Sequence, residues 1–545
     1  MEVDRRRARE VAAVARAQAE AAGVALPDDL RLFALAGPTG APLPDAEHKE
    51  LAQALEAATP SSDRRTNGLH VTPKWLADHL VDLALDGLPA DDLTVCDPAC
   101  GGGAFLLAAA RALHARGFPR STIVGQLLWG ADVDPVGLAA AEAALALWAG
   151  EPPPPGRLVL GDVLLGGAAV WPEPPAGGFA AVVGNPPFLN QLERATVRSR
   201  DHDERLRQRF GAAVQPYTDA AWLFLLLGVE LARTGGQVAL LQPYSLVSAR
   251  DAGGIRAVLD ERAAVRDLWV ERGRSFAASV QVCAPILQVG EPSAEPRSWA
   301  DRLADALGVP PIDTIGTQRL GDRARVLAGF RDEYYGLVPM VREAEPGEDP
   351  RPLVTAGVLD WGRSAWGERR SRFAKRWWIA PVVDLDRRDP DDDSAAARGG
   401  QRWIERVTGP KVVVASQTRV VEAAVDVSGR WIPSVPALAV IPEQVADLWP
   451  LAAAVAAPSS TAWLLRRAPG TALSRGALKI AAGDLADLPL PVEAVAWNRA
   501  AAALRDYAAA PSVANRDVYV FAAAAAYRSP AALVDWWWGR FPSDN

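Results

Sequence analysis

The sequence predicts an α/β fold: a doubly wound, mostly parallel sheet with helices on both faces, followed by a second domain of α+β type. Three observations carry that expectation. From residue 69 to about 245, short β-type runs alternate with helical patterns. Four of these runs end on a polar residue, Asp97, Asp132, Asp162 and Asn185, and open parallel sheets bind ligands at the carboxyl ends of their strands. After about residue 290 the alternation gives way to short apolar runs, turns and Ala-rich helices.

The elements follow in order. Residues 1–23 alternate charge and alanine and read as a helix, the start of an N-terminal helical segment expected over 1–68 that ends in the polar run "SSDRRTNG". The sheet domain is expected over 69–295. Its strands are "LTVCD" (93–97), "LLWGAD" (127–132), "RLVLGD" (157–162), "FAAVVGN" (179–185) and "QVALLQP" (237–243). The intervening helices are "AFLLAAARALHAR", "PVGLAAAEAALALWAG" and "TDAAWLFLLLGVELARTGG", the last stopped by Gly235-Gly236. Residues 296–345 are charged and irregular and read as a linker region, and 346–545 as the second domain. No internal repeat stands out.

Composition narrows the function classes. The chain has 545 residues, 49% hydrophobic and 23% charged, which is ordinary for a globular protein of two or three domains. A net charge of -8 gives no global pull toward nucleic acid, although a local basic face is enough for binding. Cys96, Cys100 and Cys283 form no paired metal-ligand spacing and no disulfide framework. The charged start "MEVDRRR" is unlike a signal peptide, and no apolar run is long enough to span a bilayer, so a cytoplasmic protein with no membrane partner is expected.

The chemistry lies at the strand ends. "DPACGGGAF" puts an acid before Gly101-Gly102-Gly103, a turn that brings backbone close to a ligand or merely joins strand to helix. It lacks the spacing of a phosphate loop. In "GADVDP", Asp132 stands where an acid can meet ribose hydroxyls, and Asp134 before Pro135 suits a helix N-cap. Asp162 in "GDVLL" can accept from an adenine amine. "VVGNPPF" ends its strand with two prolines, which hold Asn185 extended. The Asn185 amide oxygen and the Pro186 carbonyl are then two fixed acceptors suited to one planar NH2 group. Drawing on both hydrogens turns the amine nitrogen toward sp3 and frees its lone pair. Phe188 offers a face for a base. The bland reading is an Asn-Pro turn with a core phenylalanine.

Taken in order, "HVTPKWLADHLVDLAL", "DPACGGGAFL", "GADVDP", "GDVLL" and "VVGNPPF" resemble motifs X, I, II, III and IV of the gamma-class, TaqI-like DNA adenine-N6 methyltransferases, over roughly 69–245. The resemblance implies a Rossmann-like domain, S-adenosyl-L-methionine as cofactor, and double-stranded DNA as partner with the target adenine flipped out. It implies Thr72, Asp97, Ala99, Gly101 and Gly103 around the methionine moiety, Asp132 on the ribose, and Asp162 with Val163 on the adenine. Asn185, Pro186 and Phe188 would hold the target base. A second stacking aromatic, found in some members, has no counterpart in "VQVCAPILQV".

The remainder would supply target recognition. Residues 361–378, "WGRSAWGERRSRFAKRWW", hold six Arg/Lys, one acid and five aromatics, a mixture suited to phosphates and bases or to a solvated amphipathic surface. The loop 189–216 carries six Arg against four acids and is expected to close over DNA. "LSRGALKIAAGDLADLPLP" is similar to the ends of target-recognition domains. Asp28 with Glu47-His48-Lys49 fits a nuclease pattern in text only, since the second group reads as helical. The leading expectation is a restriction-modification or phage-defence methyltransferase with its own specificity domain. The alternatives are a type I-like modification subunit that needs a partner specificity subunit, an RNA or protein-glutamine methyltransferase, and a catalytically silent DNA-binding module.

Overall fold

In the computed structural model, strands Val95–Asp97 (β1), Leu128–Asp132 (β2), Leu158–Leu160 (β3), Phe179–Gly184 (β4) and Ala232–Leu240 (β5) pair in parallel in the order β3-β2-β1-β4-β5. Gln242–Pro243 (β6), Ala263–Val270 (β7) and Val282–Val289 (β8) extend the sheet antiparallel beyond β5. The described residues are 2–37, 51–59, 72–91, 93–188, 200–215, 218–271, 281–290, 292, 298–312, 316–389, 391–392, 394–469 and 477–541. They divide into two units, Met1–Trp299 and Ala300–Asn545. The order reverses between β1 and β4, so the crevice of the sheet opens there at the carboxyl edge.

Strand composition follows from burial on both faces. Val95, Cys96, Ala180, Ala181, Val182 and Val183 are all fully buried, so β1 and β4 read as continuous apolar runs without alternation. The three cysteines are free and buried. Helices α1 (Glu2–Ala22), α2 (Arg31–Ala36) and α3 (Leu51–Ala58) come first in the chain, then α4 (Lys74–Leu85), α5 (Ala104–Ala115) and α6 (Pro135–Ala149). Helix α6 is apolar all round because it is covered twice. Leu138, Ala141 and Leu145 face the sheet core, while Val136, Ala139, Ala140 and Ala143 pack with α1, α2 and α3. Its ends obey local rules: Asp134 caps the first turn, Pro135 takes the first position, and Gly150 closes it in the left-handed region at φ 86°.

Several expectations change. The N-terminal segment does not stand apart, since α1, α2 and α3 share a core with α6. The helix expected to run to Gly235-Gly236 is α9 (Ala220–Leu231), and β5 begins at the next residue. The two glycines lie inside the strand, Gly235 at φ 77°, beside a register shift between Phe179 and Ala181. A side chain at Gly236 would meet three carbonyl oxygens within 3.0 Å, so these glycines serve a bulge and not a helix stop. Between β3 and α9 lie the short helix α7 (Val163–Gly166) and α8 (Arg200–Phe210), so part of the expected loop 189–216 is helical. Residues 189–199 and 216–217 of that loop, like Glu47-His48-Lys49, lie outside the described residues. Among the described residues no single helix is long and apolar enough to cross a membrane.

The second unit includes the segment expected as a linker. Ala324–Ala328 (β9) is the edge strand of its sheet, and Arg331–Leu337 (α10) follows it. The charged look of this stretch comes from amphipathic elements at the surface, which a charge count cannot tell from a linker. Ser371–Phe373 (β10) and Arg376–Trp378 (β11) form a separate hairpin. Lys411–Ala415 (β12), Ala423–Asp426 (β13) and Ala437–Pro442 (β14) complete the antiparallel sheet in the order β13-β12-β14-β9. Trp361 anchors the adjoining helical core, its ring 5.0 Å from Tyr519, 5.2 Å from Tyr507 and 5.4 Å from Trp537.

One buried ion pair fixes the end of that sheet. Lys411 and Asp426, 0% and 1% exposed, meet at 2.6 Å across the β12–β13 pairing. Asp426 also accepts from Ser428 Oγ and from the backbone N–H groups of Gly429 and Trp431. Lys411 Nζ also donates to the Gly409 carbonyl. Removing only the cation leaves a dehydrated carboxylate. Lys411→Met is therefore expected to lower unfolding stability by about 3–5 kcal/mol; an unchanged urea midpoint for the second unit would contradict this account.

Candidate active site

The site is a row of groups along the carboxyl edge of the sheet. Adjacent strands lie about 4.8 Å apart. Parallel pairing sets Asp97 beside Gly130 and Asp132 beside Leu160, with Asn185 directly after the end of β4. The spatial order is thus Asp162, Asp132, Asp97, Asn185. Residues separated by up to 88 positions in sequence share one edge because their strands are parallel and in register.

Asp97 is 1% exposed and accepts from the Ala99 N–H at 3.1 Å. It lies so close to β4 that a side chain on Gly184 would sit 2.6 Å from its Oδ1. Burial pushes its pKa up to about 8, the Ala99 bond opposes the rise, and the charge of Asp132 adds to it. Asp132 accepts from the Gly101 N–H at 2.7 Å and from the Asp134 N–H at 2.8 Å. Desolvation raises its pKa as well, against the pull of those two bonds. Two neighbouring carboxylates have thus lost water and gained backbone amides, but no cation meets either among the described residues. Such a pair suits a ligand that brings hydroxyl donors or positive charge.

The glycine turn between them divides its work. Gly101 adopts φ 49°, and open space surrounds the place where its side chain would be. Gly103 adopts φ 82°, and there a side chain would meet Ala141 of α6 at 3.0 Å. Gly101 leaves room at the edge, whereas Gly103 lets α5 pack against α6. Asp162 caps α7 by accepting from the Leu165 N–H at 3.3 Å. Its other oxygen is 3.9 Å from His202 Nδ1 on α8. Val163 is buried behind it.

Asn185 is half-buried and Pro186 buried, while Phe188 packs its ring on the core of the first unit. The Asn185 Nδ2 donates to Thr72 Oγ1 at 3.1 Å. That bond occupies the amide's donor end, so Oδ1 is left as an acceptor. Among the described residues neither Asn185 Oδ1 nor the Pro186 carbonyl accepts a hydrogen bond. The structure thus joins Thr72 to Asn185, a pairing across 113 positions that spacing alone could not supply.

Sequence reading also missed Arg7. This side chain of α1 forks onto Asp134, with Nη1 at 3.3 Å from Oδ1 and Nη2 at 2.5 Å from Oδ2. Asp134 caps α6 and donates its own N–H to Asp132. The N-terminal helix is therefore bonded through two residues to the carboxylate that holds Gly101. Only a guanidinium in an Ala-rich helix hinted at this in the sequence.

Residues 55–270 match the family model of N-6 DNA methylases. No curated protein matches the sequence. Among solved structures, the type IIL restriction-modification enzyme MmeI in complex with DNA is similar at 12% identity and TM-score 0.55, over 94% of this chain and 81% of that one. The type IIG restriction endonuclease BpuSI is matched at 12% identity and TM-score 0.39, over 99% and 78%. A type I restriction-modification methyltransferase subunit from Streptococcus thermophilus is matched at 22% and 0.33, over 44% and 49%. The MmeI likeness is one of fold.

The Arg7 bond can be tested without ligand. Arg7→Ala removes a partly buried charged pair of roughly 1.5–3 kcal/mol. Exchange of the Gly101 amide hydrogen is expected to quicken about ten- to a hundredfold. Unaltered exchange at Gly101 would show that α1 does not brace the turn.

Proposed function

We propose that residues 55–270, which match the family model of N-6 DNA methylases, transfer a methyl group from S-adenosylmethionine to adenine N6, and that the acceptor adenine is flipped from duplex DNA and held by Asn185, Pro186 and Phe188. The observation that carries this reading is the pair of unengaged acceptors at the end of β4, with the Asn185 amide turned by its bond to Thr72. The N6 amine has two hydrogens. Asn185 Oδ1 and the Pro186 carbonyl each take one, which draws the nitrogen out of conjugation with the ring and directs its lone pair outward. Phe188 supplies a face for the extruded base.

The edge also fits the donor. S-adenosylmethionine provides an electrophilic methyl on a cationic sulfur, together with an ammonium group, ribose hydroxyls and an adenine. Asp97, Ala99, Gly101 and Gly103, with Thr72 nearby, would hold the cationic methionine portion. Asp132 has a lone pair left on each oxygen for ribose hydroxyls, and Asp162 with Val163 would meet the adenine. Two desolvated carboxylates that meet no cation among the described residues, beside a glycine turn open at Gly101, make a donor set of the right chemistry.

The second unit would read the target sequence. The fold likeness to MmeI in complex with DNA, over 94% of this chain, supports this, as does the α+β architecture of residues 300–545. A purified chain that methylates DNA at one fixed sequence would meet that expectation. Transfer only after addition of a specificity subunit would favour the type I-like arrangement.

Two outcomes test the site. Asn185→Ala is expected to lower transfer of tritiated methyl to genomic DNA by about 10²–10³-fold, with cofactor affinity near that of the parent chain. Transfer at the parental rate would refute the assignment. The second concerns protons. An Asp97 pKa raised to about 8 favours the protonated, ligand-free fold: that stability is fully present below the unfolded value near 3.8 and is lost as pH rises through 8. A cationic ligand beside Asp97 reverses the balance and expels the proton. Cofactor affinity is expected to increase from pH 6 toward pH 8, by up to about tenfold per unit. Calorimetry in buffers of different ionisation enthalpy should register the released proton, and Asp97→Asn should abolish the release. Affinity independent of pH would remove Asp97 from the cofactor site.

A further inference from the structure

The segment 361–378 has one composition in sequence but two environments in the fold. Its first part is core: Trp361 and Ala365 are buried, and Trp366 donates its Nε1–H to the Pro381 carbonyl. Arg363 is paired with Glu368, and Arg369 with Asp360. The rest is the β10–β11 hairpin, and there the pairing register sorts the side chains. Ser371 lies opposite Trp378, Arg372 opposite Trp377, and Phe373 opposite Arg376. Directly opposed residues share a face.

The inner face is anchored. Phe373 is buried with its ring 5.0 Å from Tyr334, and Ser371 is buried beside it. The Ala374 N–H donates to Tyr334 Oη, and Trp378 Nε1–H to the Phe373 carbonyl. The outer face carries Arg372 and Trp377, the latter 61% exposed, with the Arg370 guanidinium 5.4 Å from the Trp377 ring. Lys375 and Arg376 project at the tip, exposed. No ion pair engages Arg370, Arg372, Lys375 or Arg376 among the described residues, and the nearby carboxylates Asp360 and Glu368 already have arginine partners.

The turn itself is strained. Ala374 and Lys375 hold φ at 49° and 64°, the two-residue hairpin conformation for which glycine and asparagine are the ordinary choices. A lysine kept at such a position costs backbone energy and gains a charge at the tip. A two-stranded ribbon of this width fits the major groove of B-form DNA, whose edges are lined with phosphates.

We propose that this hairpin is a groove-reading element for duplex DNA. Arg370, Lys375 and Arg376 would contact phosphates, while Arg372 and Trp377 face base edges. The proposal rests on the reading of the second unit as target-recognising and names the part that enters the groove. An acidic protein surface is the competing occupant. The flat cationic face with an exposed indole at its centre favours DNA, because arginine forks match guanine edges and the ring lies against bases or thymine methyls.

The test uses the full chain and fluorescent duplexes containing the methylated sequence mapped for the parent protein. The triple variant Arg370→Ala, Lys375→Ala, Arg376→Ala is expected to bind more weakly, with the slope of log affinity against log salt reduced by about 2–3. Trp377→Ala should weaken binding roughly 5- to 100-fold. Arg372→Ala should relax one position of the methylated sequence, read by sequencing of modified genomic DNA. Unchanged melting would confirm intact folding for each exposed substitution. Variants with parental affinity, salt slope and sequence preference would overturn the proposal, as would loss of a protein partner with DNA binding intact. If the parent chain itself transfers no methyl group to DNA, the broader functional reading falls as well, and the two failures are thereby distinct.

Discussion

The two hydrogen bonds that Asp132 accepts, from Gly101 and from Asp134, tie three separate pieces of chain to the end of one strand. Through Gly101 they shape the turn that follows β1. Through Asp134 they position the first turn of α6, and through Arg7 they reach α1. A carboxylate in this place is costly, because burial removes water that two amide bonds only partly replace. The cost is tolerable where the same group has a second task at the open side of the edge. A neutral asparagine could accept with only one of its two side-chain heads and would turn the other toward a backbone N–H. The dual acceptance therefore requires an acid, and it accounts for an ionisable group at a nearly dry strand end.

Much of this edge was legible because it depends on local rules. Strands buried on both faces appear as apolar runs, a glycine triplet marks a turn, and Asp-Pro marks a helix start, as Asp134-Pro135 does. What was not legible depends on distance in sequence. Neither Thr72 with Asn185 nor Arg7 with Asp134 can be inferred from periodicity, since nothing local requires either partner. The misreading of Gly235-Gly236 has a different cause. Glycine ends helices and opens bulges for the same reason, its freedom at positive φ, and only the neighbouring carbonyls of Phe179 and Ala180 decide between them. The stretch 296–345 reads as a linker from its charge, but charge on amphipathic elements looks the same in sequence, and β9 is recognisable as a strand only beside β14.

The Asn185 amide shows how a small contact sets polarity. A carboxamide has a donor end and an acceptor end of nearly equal size, so a rigid backbone cannot by itself decide which one faces outward. Pro186 and Pro187 restrict the main chain but leave that rotation open. Thr72 closes it. Its hydroxyl takes a hydrogen from Nδ2, and rotation of the amide by half a turn would present Oδ1 to the same oxygen and Nδ2 to the base. A hydroxyl can accommodate either arrangement by turning its own hydrogen, so Thr72 biases the amide without locking it. The full preference for an outward acceptor arises when an amine with two donors is present, because only then does the inverted amide place hydrogen against hydrogen.

The aromatic content of the second unit obeys a similar division. Trp361, Tyr519 and Trp537 are interior, and each indole N–H or phenol hydroxyl among them finds an oxygen: Ala456 for Trp361, Ala453 for Tyr519, Thr461 for Trp537. Trp378, at the edge, does the same with the Phe373 carbonyl. Trp377 makes no such bond among the described residues and stands among guanidinium groups that repel one another. Folding alone does not favour that arrangement: burying the ring would gain roughly 2–3 kcal/mol, and separating the cations would relieve repulsion. A polyanion with flat faces meets both demands together, since it screens the charges and covers the ring. The same two residues, Arg372 and Trp377, are placed opposite each other by the hairpin register, so a one-residue slip of the first strand would turn Arg372 inward and Phe373 outward. The left-handed turn at Ala374-Lys375 fixes that register, and with it which face of the ribbon is charged.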